Sequence, residues 1–263
     1  MTILDQIIAD KRVEVERRKL STSLTELQST DLYQRECISL KKSFRKQAGI
    51  IAEFKRKSPS KGTIREQAVA KDIVSSYQSA GASACSILTD EKYFGGTMED
   101  VLESRPFLNI PILRKEFIID PFQIYEAKSI GADLILLIAE CLDKNQIRDY
   151  SSIAHDLGME VLMELHFDDE LNKWNEGIDL LGVNNRNLQT FDTGIERSLE
   201  LVPRLPVESI WVSESGLKGA DEIITLMDHG YRGFLIGETF MKSPDPGLAC
   251  TYFIETIHQH SIA

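Results

Sequence analysis

Past residue 50 the chain alternates between short apolar runs and longer amphipathic stretches. The apolar runs are Ile50–Phe54, Ala84–Leu88, Ile110–Leu113, Leu134–Ala139, Glu160–Leu165, Leu180–Val183, Ser209–Val212 and Gly233–Ile236. Each is strand-sized, and most lack the polar alternation of a strand that faces water on one side. Helix-like stretches separate them, among them Lys71–Ala80, Met98–Phe107, Pro121–Ile130, Lys144–Leu157, Gly194–Val202 and Ala220–His229. Gly81, Gly131, Gly158 and Gly230 stand where a helix would end in a left-handed cap. Eight apolar strands, each followed by a helix, predict an α/β fold with a parallel sheet, closed as a (β/α)8 barrel. An open doubly wound sheet is the alternative. The first strand-to-helix turn carries no G-x-G-x-x-G, which counts against dinucleotide binding.

The first 48 residues stand outside this repeat. Leu4, Ile7, Ile8 and Val15 fall on one helical face, and Ser23-Leu-Thr-Glu26 reads as a capping box for a second helix. So short a segment buries little core of its own. It is expected as a helical extension (1–48) packed across one end of the barrel (49–263), the whole forming one domain. A total of 263 residues fits one barrel, which needs roughly 250. A fused second barrel would need roughly 200 more, so none is expected.

Composition narrows the partners. A net charge of −11 argues against nucleic acid and membrane surfaces. If the ligand is anionic, its site must be locally basic, and Lys55-Arg56-Lys57, Lys61, Arg114-Lys115 and Arg186 are the places to look. Cys37, Cys85, Cys141 and Cys250 are widely spaced, so neither a disulfide framework nor a metal site is indicated. The N-terminus has no apolar signal core, and Leu134–Ala139 is too short to span a bilayer. A soluble, cytoplasmic protein is expected, as a monomer or weak homodimer.

Chemistry in a parallel barrel gathers at the C-terminal strand ends, and here those ends are polar. Period-two geometry places Ile51, Glu53 and Lys55 on one face of the first strand. The third strand ends in Arg114-Lys115 and the fifth in Glu164; the sixth is followed by Asn184 and Arg186, the seventh by Glu214 and Ser215. So many charges converging on one mouth are costly to desolvate unless paired, which points to a functional site. Ser215-Gly216, Ile236-Gly237 and the Lys57–Gly62 loop with Ser58 lie where such barrels bind phosphate.

The same residues carry a resemblance that covers essentially the whole chain. Glu53-Phe-Lys-Arg-Lys-Ser58-Pro-Ser-Lys-Gly62, Leu88-Thr-Asp-Glu-Lys-Tyr-Phe94, Leu113-Arg-Lys115-Glu-Phe117-Ile-Ile-Asp120, Gly182-Val-Asn184-Asn-Arg186-Asn-Leu188 and Ser213-Glu214-Ser215-Gly216 are similar to signatures of indole-3-glycerol phosphate synthases. The resemblance implies ring closure, decarboxylation and dehydration of 1-(2-carboxyphenylamino)-1-deoxyribulose 5-phosphate, with no metal or organic cofactor. It implies Lys115 as general acid, Glu164 as catalytic glutamate, Lys55 as a second lysine and Glu53 as the group that holds and tunes the pair. Asn184, Arg186 and Glu214 would position the anthranilate end and the sugar hydroxyls. Ser58, Ser215, Gly216 and Gly237 would hold the phosphate, and Phe94, Phe117 and Leu188 would wall the ring. Glu238 departs from the pattern, since a serine is common there; its side chain is expected to turn away from the phosphate. Glu140 is expected as a solvated loop residue, and His166 in a structural role. The rival readings are another phosphosugar isomerase or Schiff-base aldolase, and a non-catalytic barrel that binds a phosphorylated metabolite.

Overall fold

The computed structural model describes residues 2–186 and 192–262. Eight parallel strands close into a barrel: β1 (Gly49–Phe54), β2 (Ala84–Leu88), β3 (Ile112–Lys115), β4 (Leu134–Ile138), β5 (Glu160–Leu165), β6 (Leu180–Asn184), β7 (Ile210–Glu214) and β8 (Gly233–Ile236). They neighbour one another in chain order, and β8 pairs back onto β1 through Gly49↔Gly233 and Ile51↔Leu235. Alternation sorts the side chains into two layers. Ile50, Ala52 and Phe54 pack outward under the helices, whereas Ile51 joins Leu113, Leu134, Leu136, Leu162, Leu180, Val212 and Leu235 inside the barrel.

The strand boundaries differ from the sequence expectation where they matter most. β3 starts two residues late, because Pro111 has no N–H for the ladder, and it runs on through Arg114 and Lys115. β6 and β7 likewise extend to Asn184 and Glu214, so the polar residues sit on the strands themselves. The helix expected over 98–107 is α-helical only for Met98–Ser104; Pro106 falls in a 3-10 turn, Arg105–Phe107. A 3-10 segment, Asp168–Lys173, connects β5 to β6 in place of a full helix. Gly81, Gly131, Gly158 and Gly230 all adopt positive φ at helix ends, as their placement requires.

The N-terminal segment reaches both ends of the barrel rather than one. Helix Leu40–Lys46 plugs the floor: Leu40 and Phe44 are fully buried in the barrel interior. A side chain at Gly233 would stand 2.7 Å from the Phe44 ring, so glycine there makes room for the plug. The backbone N–H groups of Leu40 and Lys41 donate to the Glu160 carboxylate at 2.9 and 3.0 Å, fastening the plug's first turn to the start of β5. Helix Ile3–Ser21 lies instead across the mouth, where Lys11 is buried. Its ammonium pairs with Asp90 beyond β2 at 2.9 Å and Glu116 beyond β3 at 3.0 Å. Among the described residues no helix is long and apolar enough to cross a membrane.

Candidate active site

A cavity of about 610 Å³ opens at the C-terminal end of the barrel, a size suited to a small organic ligand. Glu53, Lys55, Ser58, Phe94, Lys115, Phe117, Glu164, Asn184, Arg186, Glu214, Ser215, Gly216 and Gly237 all line it. Leu188 lies outside the described residues.

Lys115 is the centre of the charge arrangement. Its Nζ lies 3.5 Å from Glu164 Oε2, 3.6 Å from Glu53 Oε2 and 3.6 Å from Glu214 Oε2. Glu53 is shared, since its other oxygen accepts from Lys55 Nζ at 2.6 Å. Burial alone would discharge the Lys115 ammonium, but the carboxylates of Glu164 and Glu53 outweigh it and hold the group firmly protonated. Burial likewise opposes ionisation of Glu164; the charges of Lys115 and His166 win and hold that carboxyl at about 2. Glu214 goes the other way. Burial and the adjacent Glu164 carboxylate push it well above the usual carboxylate range, making it the protonated member of the pair.

Two glycines create the room for these acids. A Cβ at Gly182 would stand 2.2 Å from Glu214 Oε1, and one at Gly237 would stand 2.5 Å from Glu53 Oε1. Whatever else it does, Gly237 must stay a glycine to leave room for the Glu53 side chain. Ser215 and Gly216 are consecutive left-handed residues (φ 65° and 76°), which turns the chain sharply at the end of β7. Phe94 and Phe117, from the loops after β2 and β3, face each other with centroids 6.0 Å apart and form an apolar wall on the far side of the mouth.

Several expected cations do not serve the cavity. Arg114 points outward from β3, fully buried against Glu126 and the Gln123 carbonyl. Arg56 forms a two-pronged pair with Asp100 at 2.6 and 2.7 Å, and Lys57 donates to the Lys92 carbonyl. Alternation along the strand explains Arg114, since its neighbour Lys115 takes the inward place. Lys55, Lys61, Lys115 and Arg186 do line the cavity, joined by Lys218 and Lys242. Glu238 lines the cavity too, and its carboxylate is paired, 3.2 Å from Arg186 Nη2 and 2.7 Å from Lys242 Nζ. Two neighbouring cations neutralise it there. The backbone N–H of Arg186 donates to Asn184 Oδ1 at 3.0 Å, which ties the two residues together.

Sequence reasoning passed over the N-terminal helix, whose Ile3, Leu4 and Ile7 line the same cavity. A signal existed: Lys11 interrupts the apolar stripe midway between Ile7 and Val15, and a charge on a buried face needs partners. His166, expected to be structural, lines the cavity with its ring against Glu164.

The chain matches the sequence model of the indole-3-glycerol phosphate synthases over residues 4–252. It belongs to that family. It is 48% identical over 256 residues to the indole-3-glycerol phosphate synthase of Bacteroides thetaiotaomicron, covering 97% of this chain and 98% of that one. The synthase of Polynucleobacter asymbioticus is 42% identical over 94% of this chain and 97% of its own length. Among solved structures, 3-hexulose-6-phosphate synthase from Salmonella typhimurium superposes with a TM-score of 0.63 at 13% identity, covering 81% of this chain and 99% of that one. Thiamine phosphate pyrophosphorylase from Pyrococcus furiosus gives a TM-score of 0.60 at 12% identity, over 83% and 98% of the two chains. These likenesses concern the barrel alone; the indole-3-glycerol phosphate synthase family rests on the sequence match.

Proposed function

We propose that this indole-3-glycerol phosphate synthase runs its reaction on Lys115, Glu164, Lys55 and Glu53, converting 1-(2-carboxyphenylamino)-1-deoxyribulose 5-phosphate to indole-3-glycerol phosphate, carbon dioxide and water. The observation that carries the assignment is the single ammonium of Lys115 held among three carboxyl groups at the centre of the cavity. Ring closure needs an acid at the ketone oxygen as the aromatic carbon attacks. Lys115, kept charged by its acidic neighbours, supplies that proton. Loss of the carboxyl group as carbon dioxide then leaves a hydroxyl to be expelled as water. Lys55, bound to Glu53, is the second acid, and ionised Glu164 accepts the proton released from the carbon beside nitrogen.

Ser58, Ser215, Gly216 and Gly237 receive the phosphate on the β1, β7 and β8 side. Phe94 and Phe117 receive the aromatic ring across the mouth. Asn184, Arg186 and protonated Glu214 orient the sugar hydroxyls and the aryl carboxylate between them. A Schiff-base aldolase reading fits less well, because a nucleophilic lysine must be neutral and Lys115 is held in its charged form. Incubating the protein with the carboxyphenylamino deoxyribulose phosphate while following indole fluorescence tests the reading. Product should accumulate in the wild type, and trapping by borohydride with a carbonyl substrate should fail. A borohydride-stable adduct at Lys115 without indole formation would replace the synthase mechanism by the aldolase one.

A further inference from the structure

The proposed reaction does not conserve protons within the site. One carbon–carbon bond forms, the bond to the aryl carboxylate breaks, and the carbon–oxygen bond of the former ketone breaks. The oxygen must gain two protons to leave as water, and the carbon beside nitrogen returns one. With the substrate carboxylate ionised, each turnover therefore takes up one proton from solution. Glu53, Glu164 and Glu214 are buried and the Lys115 side chain is 16% exposed, and bound substrate would fill the cavity mouth above them.

His166 follows β5, with its side chain only 5% exposed. Its Nε2 lies 3.2 Å from Glu164 Oε1, on the side of the carboxylate away from Lys115. Its Nδ1 is buried without a hydrogen-bond partner and faces Glu140 Oε2 at 3.7 Å. Glu140, in the turn after β4, has a side chain 29% exposed. A displacement of about 0.7 Å brings that contact to hydrogen-bond length. The loop is otherwise clamped: the backbone N–H groups of His166 and Phe167 both donate to Glu170 at 2.6 and 2.9 Å, and Lys173 donates to the Ala139 carbonyl at 2.7 Å. The charged groups around the ring are thus Glu164 on β5, Glu140 beyond β4, and Glu170 and Lys173 on the 3-10 segment.

We propose that Glu140 and His166 form a proton inlet that recharges the Glu164–Lys115 pair from solvent, a role that rests on the synthase reaction above. Glu140 takes a proton from water and passes it to Nδ1 while Nε2 gives its own proton to Glu164. By then Glu164 has returned the proton it took from carbon to Lys115, and Lys115 has passed one through the shared Glu53 to the discharged Lys55, so the inlet proton restores Lys115 by way of Glu164 and reorientation of the imidazole completes the cycle. Burial pushes the Glu140 carboxyl above its usual range; the His166 ring opposes this, and Glu170, Glu164 and Asp5 add to it. A carboxyl so placed holds and releases a proton more readily near neutrality than a free one. His166 and Glu140 are positioning and relay groups, since neither is asked to touch substrate.

The test uses His166→Gln and Glu140→Gln in the intact chain, followed by rapid-mixing fluorescence. The first turnover draws on protons already in the site, so His166→Gln should show a burst near one product per enzyme. Its steady-state rate should then fall at least ~10-fold, with KM falling in proportion so that kcat/KM is unchanged, and with an enlarged solvent deuterium effect. Added imidazole should return the steady-state rate to within about twofold of the wild type, as expected when a mobile acid replaces a fixed one. Glu140→Gln should show the same signature more weakly. A steady-state loss without a burst and without imidazole rescue would overturn the inlet and leave His166 a packing residue. Wild-type rates in both variants would overturn it as well. Failure of the wild type to form indole would instead remove the reaction on which the inlet rests.

Discussion

Lys115→Met removes the central ammonium while keeping most of the side chain's length, and its consequences can be worked from the distances. In the wild type Glu164 is held at about 2 against an ordinary 4.5, which at 1.36 kcal/mol per pH unit contributes ~3 kcal/mol to folding. The folded-state value is depressed, so this contribution is complete above pH 4.5 and is lost as the pH falls toward 2. Without Lys115 the dominant attraction disappears, and burial drives the Glu164 carboxyl upward. Glu53 keeps Lys55 at 2.6 Å, so the unpaired charge falls chiefly on Glu164. Removing one partner of a buried ion pair costs about 3–5 kcal/mol. For a domain of this size that is a fall in Tm of roughly 6–20 °C near pH 8. The sign of the pH dependence should also reverse. Acidification from pH 8 to 5 protonates the stranded carboxyl and should stabilise the variant, whereas the wild type gains nothing over that range from this group. Turnover should drop at least ~10²-fold, the usual contribution of a positioned acid. Thermal melts across pH, with steady-state kinetics on the folded variant, measure both effects. Melting curves that stay parallel to the wild type across pH would refute the electrostatic argument, and near-normal turnover would remove Lys115 from the mechanism.

Gly182→Ala puts a methyl group 2.2 Å from Glu214 Oε1; it should cost ~1–3 kcal/mol of stability and at least ~10-fold in kcat, and unchanged kcat would show that the position of Glu214 is unimportant. Glu238→Ser frees Arg186 and Lys242 from a shared carboxylate, so KM should fall by up to ~5-fold at low salt, the ~1 kcal/mol of a partly exposed ion pair, with kcat nearly unchanged. A large kcat loss there would mean that the carboxylate orients Arg186 for the chemistry. In the wild type, raising salt should raise KM more than it lowers kcat, because the cavity's lysines and Arg186 draw an anion against a net charge of −11; a KM flat to ~0.5 M salt would discount that attraction.

The barrel was legible because its strands are apolar on both faces and its helices end in glycines that need positive φ. The inward set at the mouth was legible too, since Glu53 and Lys55 lie two apart and strand alternation sorts side chains by parity. Which member of an adjacent charged pair takes the inward place needs the phase of the strand as well as its period. Arg114 and Lys115 read as one basic pair until the ladder sent one outward and one inward. The ion pairing of Glu238 depended on Arg186, 52 residues earlier in sequence, and no local pattern encodes such a meeting. The two-ended reach of the first 48 residues was hidden for the same reason. Helix amphipathicity reveals that a face is covered, but not which end of a barrel covers it.

The seating of Phe44 constrains how a growing chain can finish. The residue is made early, yet its ring rests beside Gly233 and Val212, and β1 cannot complete its ladder until β8 is present. During synthesis the floor of the barrel therefore stays unsealed until almost nine-tenths of the chain has emerged. Until then Ile51, Leu113, Leu134, Leu162 and Leu180 line a gutter rather than a closed core. Such a surface, held open by the distance in sequence between a plug and its socket, is what a chaperone would bind on the nascent protein. Truncated chains that stop short of β8 should be captured and degraded.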